Sequence, residues 1–447
     1  MEDDQFTERD GLTRRSFITR SASVGLGAMA LTSLPALLAA CGGSSSGGGG
    51  GSTNLKVLAL EPPDPTPPGG ADFALDALKQ WESANKASVS YDTVPYTQIH
   101  DKIATAFASG SSPWDVSYMA GWAPEFSNNL IDIGPKISQS VKDDMPASSF
   151  KTTTWDGKVM GAVFTLSLLT LFYNTELLEK AGIKEPPKNW EELLGYTKEL
   201  TGGGQYGWVN NYGVPEGVGG TANYWMVYLQ QAGGQMYDES GQPVFNDAAG
   251  VDAVQFMVDL WNAGTEPGSI SYTGVADTTN VFTSGKAAMM MNWPFTWKPA
   301  SDPATSKIAG KLGSAVLPAG EAGTASVDGG DAFSVTTSAK DPDLAVKLIE
   351  FYLSPEAQKA QALETGWLPI RLSVLADAEV QKAAPNATTL LEQAKSPYDS
   401  FITPDYNEVT LAIGTEVTKA IKGDTSPKQA MQDASDAVTS IIKKRSS

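Results

Sequence analysis

Cysteine and histidine are almost missing from this chain of 447 residues, which has one of each. A disulfide framework needs at least two thiols and a Cys/His metal site needs several ligands, so both are excluded, as is a Cys-His dyad. Basic runs are just as scarce. None appears beyond Lys443-Lys444-Arg445, and the formal net charge is −19. Such an acidic chain repels polyphosphate backbones, which excludes nucleic acid as a partner. No cofactor is expected: Gly202-Gly203-Gly204 is not followed by Lys-Ser/Thr and joins no strand to a helix, so it is a poor phosphate cradle. No motif singles out a carboxylate pair for glycoside hydrolysis. His100, beside Ile99 on an expected helix, reads as a surface residue without a catalytic partner. The expectation is a binding protein and not an enzyme.

What the chain does have begins at its N-terminus. Thr13-Arg14-Arg15-Ser16-Phe17-Ile18 resembles a twin-arginine export signal, and an uncharged apolar region follows from Ala22 to Ala40. Leu38-Ala39-Ala40-Cys41 resembles a lipobox, which makes Cys41 the expected acylation site. Residues 1–41 would then be a lipoprotein signal peptide. Residues 42–51 are only Gly and Ser, a flexible tether that lets a folded body swing beside a membrane partner. The membrane is reached through the lipid alone.

The remaining length exceeds what one hydrophobic core usually serves, so two lobes are expected. Leu55–Leu60, the stretch around Val89 and Tyr91, and Asp115–Met119 read as strands. Between them lie two helical stripes, one through Ala77, Leu78 and Trp81 and one through Ile99, Ile103 and Phe107. Crossovers this long imply parallel pairing in a doubly wound lobe. Asp156-Gly157 reads as a tight turn. Asn189 with Glu192, Asp341 with Pro342, and Ser354 with Pro355 read as helix starts.

The most informative stretch is Val281–Trp297, VFTSGKAAMMMNWPFTW. Gly285 closes a helix, Ala287–Met291 is a strand apolar on both faces, and Trp293, Phe295 and Trp297 follow it. Ligands in open α/β sheets bind beyond the carboxyl ends of strands, where these rings form a candidate apolar wall.

Several segments in this order resemble extracellular solute-binding protein family 1, the sugar-binding lipoproteins of ABC importers. They include Trp114-Asp115-Val116, Leu171-Phe172-Tyr173-Asn174, Asn189-Trp190-Glu191-Glu192-Leu193, Phe282–Met289, Gly329-Gly330 and Gly366–Arg371. The resemblance implies an α/β fold of two doubly wound lobes joined by crossing hinge strands, periplasmic-binding-protein-like and type II. The first lobe would hold residues 52–166 and 332–370, the second 167–331 and 371–447. It also implies a monomer that closes on a carbohydrate and docks on transmembrane permease subunits.

Carried onto this chain, the family's ligand positions implicate Trp122, Tyr224, Trp225 and Trp293, with Phe295 and Trp297 as alternates to the last. Gly330 precedes Asp331 where the family often has Trp, which exchanges a stacking face for a hydroxyl acceptor. Arg371 would donate a bidentate pair, and Asp64, Tyr96 and Ser167 lie in loops at strand ends. Ala120 stands where an acidic residue is usual, which puts a maltose-like mode in doubt. A non-sugar solute such as a polyamine is the alternative, favoured by Asp64 and Asp331, and a tethered glycoside hydrolase is a further one.

Overall fold

Hydrophobic runs too long for solvent set the architecture. In the computed structural model, residues 53–60, 75–146, 148–213 and 220–445 are described. The signal region, the tether, Cys41 and Asp64 lie outside them. One sheet contains, in spatial order, the strands Ala87–Val94, Thr53–Leu60, Val116–Met119, Ala332–Val335 and Ala162–Val163. Its first three strands are parallel, as their helical crossovers Leu75–Asn85 and Tyr96–Ala108 require. Ala332–Val335 returns from far along the chain and pairs antiparallel on both sides.

A second sheet runs Leu312–Ala315, Thr170–Asn174, Ala287–Asn292 and Tyr206–Val209. All six residues of Ala287–Asn292 are buried, as expected of a strand apolar on both faces. Ala288, Met289 and Met291 join the main core. Ala287 and Met290 join a smaller cluster with Phe172, Val209, Phe282 and Ile308. The expected two-lobed α/β architecture is therefore present, with one sheet at the centre of each lobe.

Local signals behave as their chemistry dictates. Asn189 Oδ1 accepts from Glu192 N at 2.9 Å, and Glu192 reaches back to Lys188 N at 2.7 Å, one residue before the usual capping-box partner. Asp341 and Ser354 each accept from the backbone N–H three residues on. Asp156 and Gly157, at φ 49° and 72°, turn the hairpin that pairs Thr154–Trp155 with Lys158–Val159.

Three segments cross between the sheets side by side. Phe164 N donates to Asp331 O at 3.0 Å, Leu166 N to Leu368 O at 3.1 Å, and Gly329 N to Ser167 O at 2.8 Å. Phe164 stacks on Phe333 and on Trp367, with centroids 4.6 and 6.1 Å apart. Backbone pairing and this aromatic stack hold the crossings in register. Among the described residues, no helix is long and apolar enough to cross a membrane.

Close packing makes Gly207 a sensitive position in the second sheet. A Cβ there would lie 2.1 Å from Thr197 O, in the helix Trp190–Glu199 packed against that strand. Gly207→Ala is expected to lower stability by about 1–3 kcal/mol or more, read as a fall in Tm. An unchanged Tm would show that helix and strand are not in this contact.

Candidate functional site

The crossing segments deliver an acidic side chain to the end of a parallel strand. Ala332 pairs with Met119, the last residue of Val116–Met119, so Asp331 lies just beyond that strand's carboxyl end. Gly330, at φ 66°, makes the turn that places it there. Tyr118 donates its hydroxyl to Asp331 Oδ1, and Thr165 donates to Oδ2 at 3.1 Å. No Lys or Arg among the described residues pairs with this carboxylate. Burial raises the Asp331 pKa, opposed by the bonds from Tyr118 and Thr165.

Two phenols, Tyr118 and Tyr96, lie by this carboxylate, and a third, Tyr406, lies near both of them. Tyr118 is raised well above the ordinary tyrosine value by burial, then by the Asp331 charge. Tyr406 is pushed up to about 12 by burial, against a hydrogen bond with Asn223. Tyr96 is the exposed member, with 37% of its surface accessible. Packing around its hydroxyl still raises its pKa, ahead of Tyr406 and Asp331. At neutral pH all three remain protonated and able to donate. The Tyr96 ring stands edge-on to Tyr118 at 6.5 Å and stacks on Trp122 at 5.8 Å.

A second carboxylate lies three residues before Asp331. Asp328 Oδ1 accepts from Gly330 N at 3.0 Å. Its side chain lines a shallow crevice with Lys151, Thr152, Tyr398 and Asp399, where Lys151 is paired with Asp399. Burial drives the Asp328 pKa up to about 7, with the Asp331 charge adding to the rise.

The expected site residues fall into distinct groups. Ser167, Gly330, Asp331 and Trp293 gather at the crossings: a Cβ built on Gly329 would lie 3.0 Å from Ser167 Oγ and 3.4 Å from the Trp293 ring. Phe295 packs on Trp367 at 6.3 Å and Trp297 on the smaller core of the second lobe. Trp122 is fully buried beneath Tyr96, with His100 edge-on at 5.2 Å, and its Nε1 donates to Asn407 Oδ1 at 3.2 Å. It supports the site from behind.

Other placements correct the sequence reading. Trp225 has no exposed surface; it packs against Phe245 at 5.2 Å, and its Nε1 donates to Gly250 O at 3.4 Å. Tyr224 is buried beside it in the sequence and donates to Asn211. The helix Gly220–Gln231 is buried nearly all round, so these rings fill the second lobe. Arg371 is committed elsewhere: Nε donates to Asp144 Oδ2 at 2.7 Å and Nη1 to Leu353 O at 3.2 Å. Burial would raise Asp144, but bonds from Ser373 and Arg371 outweigh it and hold its pKa low. The surface expectation for His100 also fails, since it is half-buried and bound to Glu125 at 3.0 Å.

Tyr118, Thr165, Asp328, Asn223, Tyr406 and Asn407, which the structure adds as candidates, were not legible in the sequence. Only Tyr118, one residue from a strand's carboxyl end, carried a positional signal.

The family model for bacterial extracellular solute-binding proteins matches residues 64–359. A probable amino-acid ABC transporter periplasmic-binding protein of Sinorhizobium fredii is 27% identical, across 84% of this chain and 88% of that protein. The galactooligosaccharide-binding protein of Bacillus subtilis is 24% identical, across 83% and 87%. Maltose-bound T. maritima MalE3 superposes with a TM-score of 0.75 at 26% identity, covering 87% of this chain and all of that one. The fold is thus that of the maltose-binding, type II periplasmic proteins.

Asp328 generates a pH prediction. The folded state holds its proton up to about 7, while the unfolded chain releases it in the ordinary carboxylate range. Its contribution to stability is therefore present in full below the unfolded pKa and is lost as pH rises through the folded one. Wild type and Asp328→Asn are expected to have similar Tm at about pH 4 or below, with wild type falling progressively behind as pH rises from there through about 7. A gap independent of pH would contradict the assignment.

Proposed function

The chain belongs to the bacterial extracellular solute-binding proteins, and from that premise we propose that it captures a mono- or oligosaccharide between its lobes and delivers it to the permease of an ABC importer. Residues 52–166 with 332–370 and 167–331 with 371–447 form the two lobes of this proposal, and the three crossing segments are its hinge. Closure is driven by whatever preference the solute has for the shut form. A solute-binding protein needs no catalytic group, and its family and structural neighbours are binding proteins.

The observation that carries the carbohydrate reading is the Asp331 carboxylate bonded by Tyr118 and Thr165 beside the exposed phenol of Tyr96, with no cation paired to it among the described residues. Sugar hydroxyls both donate and accept, so carboxylate and phenols together satisfy them. The Trp293 ring beside Ser167 supplies a flat apolar surface for sugar C–H groups. An amino acid, named for the Sinorhizobium relative, is less well served because its carboxylate would face Asp331 without an Arg or Lys. A cationic amine is the second reading. It is favoured by the same unpaired charge, and polyamines are its natural probes.

A signal of the twin-arginine kind and acylation of Cys41 complete the proposal, in which the protein is a monomer tethered to the outer face of the cell membrane, extracellular or periplasmic. Cys41→Ser is expected to abolish incorporation of labelled fatty acid and to release the protein from the membrane fraction. Retention of label would place the anchor elsewhere.

A thermal-shift panel of sugars, polyamines and amino acids tests the solute class. Stabilisation by a sugar is expected, and Asp331→Asn should weaken that sugar's binding by about tenfold or more, since a hydrogen bond to a charged group contributes about 1.5–3 kcal/mol. A shift confined to polyamines or amino acids would overturn the carbohydrate reading.

A further inference from the structure

The helix Tyr406–Lys422 packs on the second-lobe helices Gly220–Gln231 and Ala248–Gly264 and on the last helix, Pro427–Arg445. Its first turn nevertheless reaches the loop that follows the first-lobe strand Val116–Met119. A Cβ on Gly121 would lie 2.8 Å from the Tyr406 ring, so the ring occupies the space that only glycine leaves free at this position. Gly121 does not need a left-handed backbone, which leaves space as the reason for glycine. The next residue, Asn407, accepts from Trp122 Nε1 at 3.2 Å.

The ring is packed in place with a small part of its surface left open. Tyr406 is only 8% exposed, with Phe401 edge-on at 6.1 Å, and Asn223 bonds its hydroxyl. Asp405, at the start of the helix, is tied to Arg445 at the chain's far end. Trp122, bonded to Asn407, packs on Tyr96 at 5.8 Å and on Tyr118 at 6.4 Å, which brings the start of this helix to the residues around Asp331.

We propose that Tyr406, seated on Gly121 from the opposite lobe, is the end wall of the solute cleft and restricts it to short saccharides. An extended chain of rings would have to pass through the space the Tyr406 ring fills. The hydroxyl of Tyr406 meets the terminal ring as a donor, and the ring itself blocks a further sugar. This inference rests on the carbohydrate reading and adds the length of the ligand to it.

The test is a binding series of glucose, galactose and mannitol against maltohexaose and stachyose, with wild type and Tyr406→Ala. Wild type is expected to bind at least one short member about tenfold or more tightly than either long one, and the variant to narrow that gap. Equal binding of short and long members by wild type leaves the carbohydrate reading standing and overturns the end wall. Unchanged selectivity in a folded Tyr406→Ala overturns the assignment to this residue, and wild-type selectivity decides the size limit even where the variant does not fold. No shift with any sugar removes the carbohydrate reading and the size limit together.

Discussion

A half-buried carboxylate with no cation paired to it among the described residues is the constraint on which this molecule turns. Charge removed from water is costly unless hydrogen bonds replace the lost solvation, and Asp331 obtains them from Tyr118 and Thr165. Those donors come from different segments. Tyr118 ends a strand of the first sheet, and Thr165 lies on a crossing segment. The carboxylate therefore ties a strand end to the joint between the lobes. The phenols of Tyr96 and Tyr406 add polar surface without adding charge, which suits a site for neutral hydroxyls.

The rest of the fold can be understood as support for that placement. The strand Ala332–Val335 lies between Val116–Met119 and Ala162–Val163 and so fixes where residue 331 stands. Phe164, stacked between Phe333 and Trp367, stiffens the crossings from within. Arg371 locks the third crossing to Asp144, which explains why it is unavailable to a ligand. If the crossings are the proposed hinge, rigid elements beside them would let a small change there become a rigid-body motion of the lobes.

Much of the scaffold was legible because its signals are local. Asn189, Asp341 and Ser354 cap helices through bonds to backbone three residues away, and such bonds leave a spacing in the sequence. Ala287–Met291, apolar at every position, could only be an interior strand. The candidate site was half legible. Asp331, Ser167 and Trp293 were identifiable because they flank crossings that the family resemblance marks. Tyr406 and Asn223 come from helices of the second lobe, and only tertiary folding brings Tyr406 to Tyr118. Trp225 and Trp122 misled for a related reason: an aromatic near a glycine-rich stretch looks the same in sequence whether it lines a cleft or fills a core. Arg371 was recognised as important, but its partner, Asp144, lies more than two hundred residues away.

The central claim is that solute hydroxyls complete the coordination of Asp331 between the lobes. A crystal structure grown with the sugar that binds most tightly examines it directly. The account predicts electron density for the sugar against Trp293, with a hydroxyl in hydrogen-bond contact with Asp331 and with at least one of Tyr96, Tyr118 and Tyr406. Sugar bound away from the crossings, with Asp331 contacting only Tyr118 and Thr165, would contradict it.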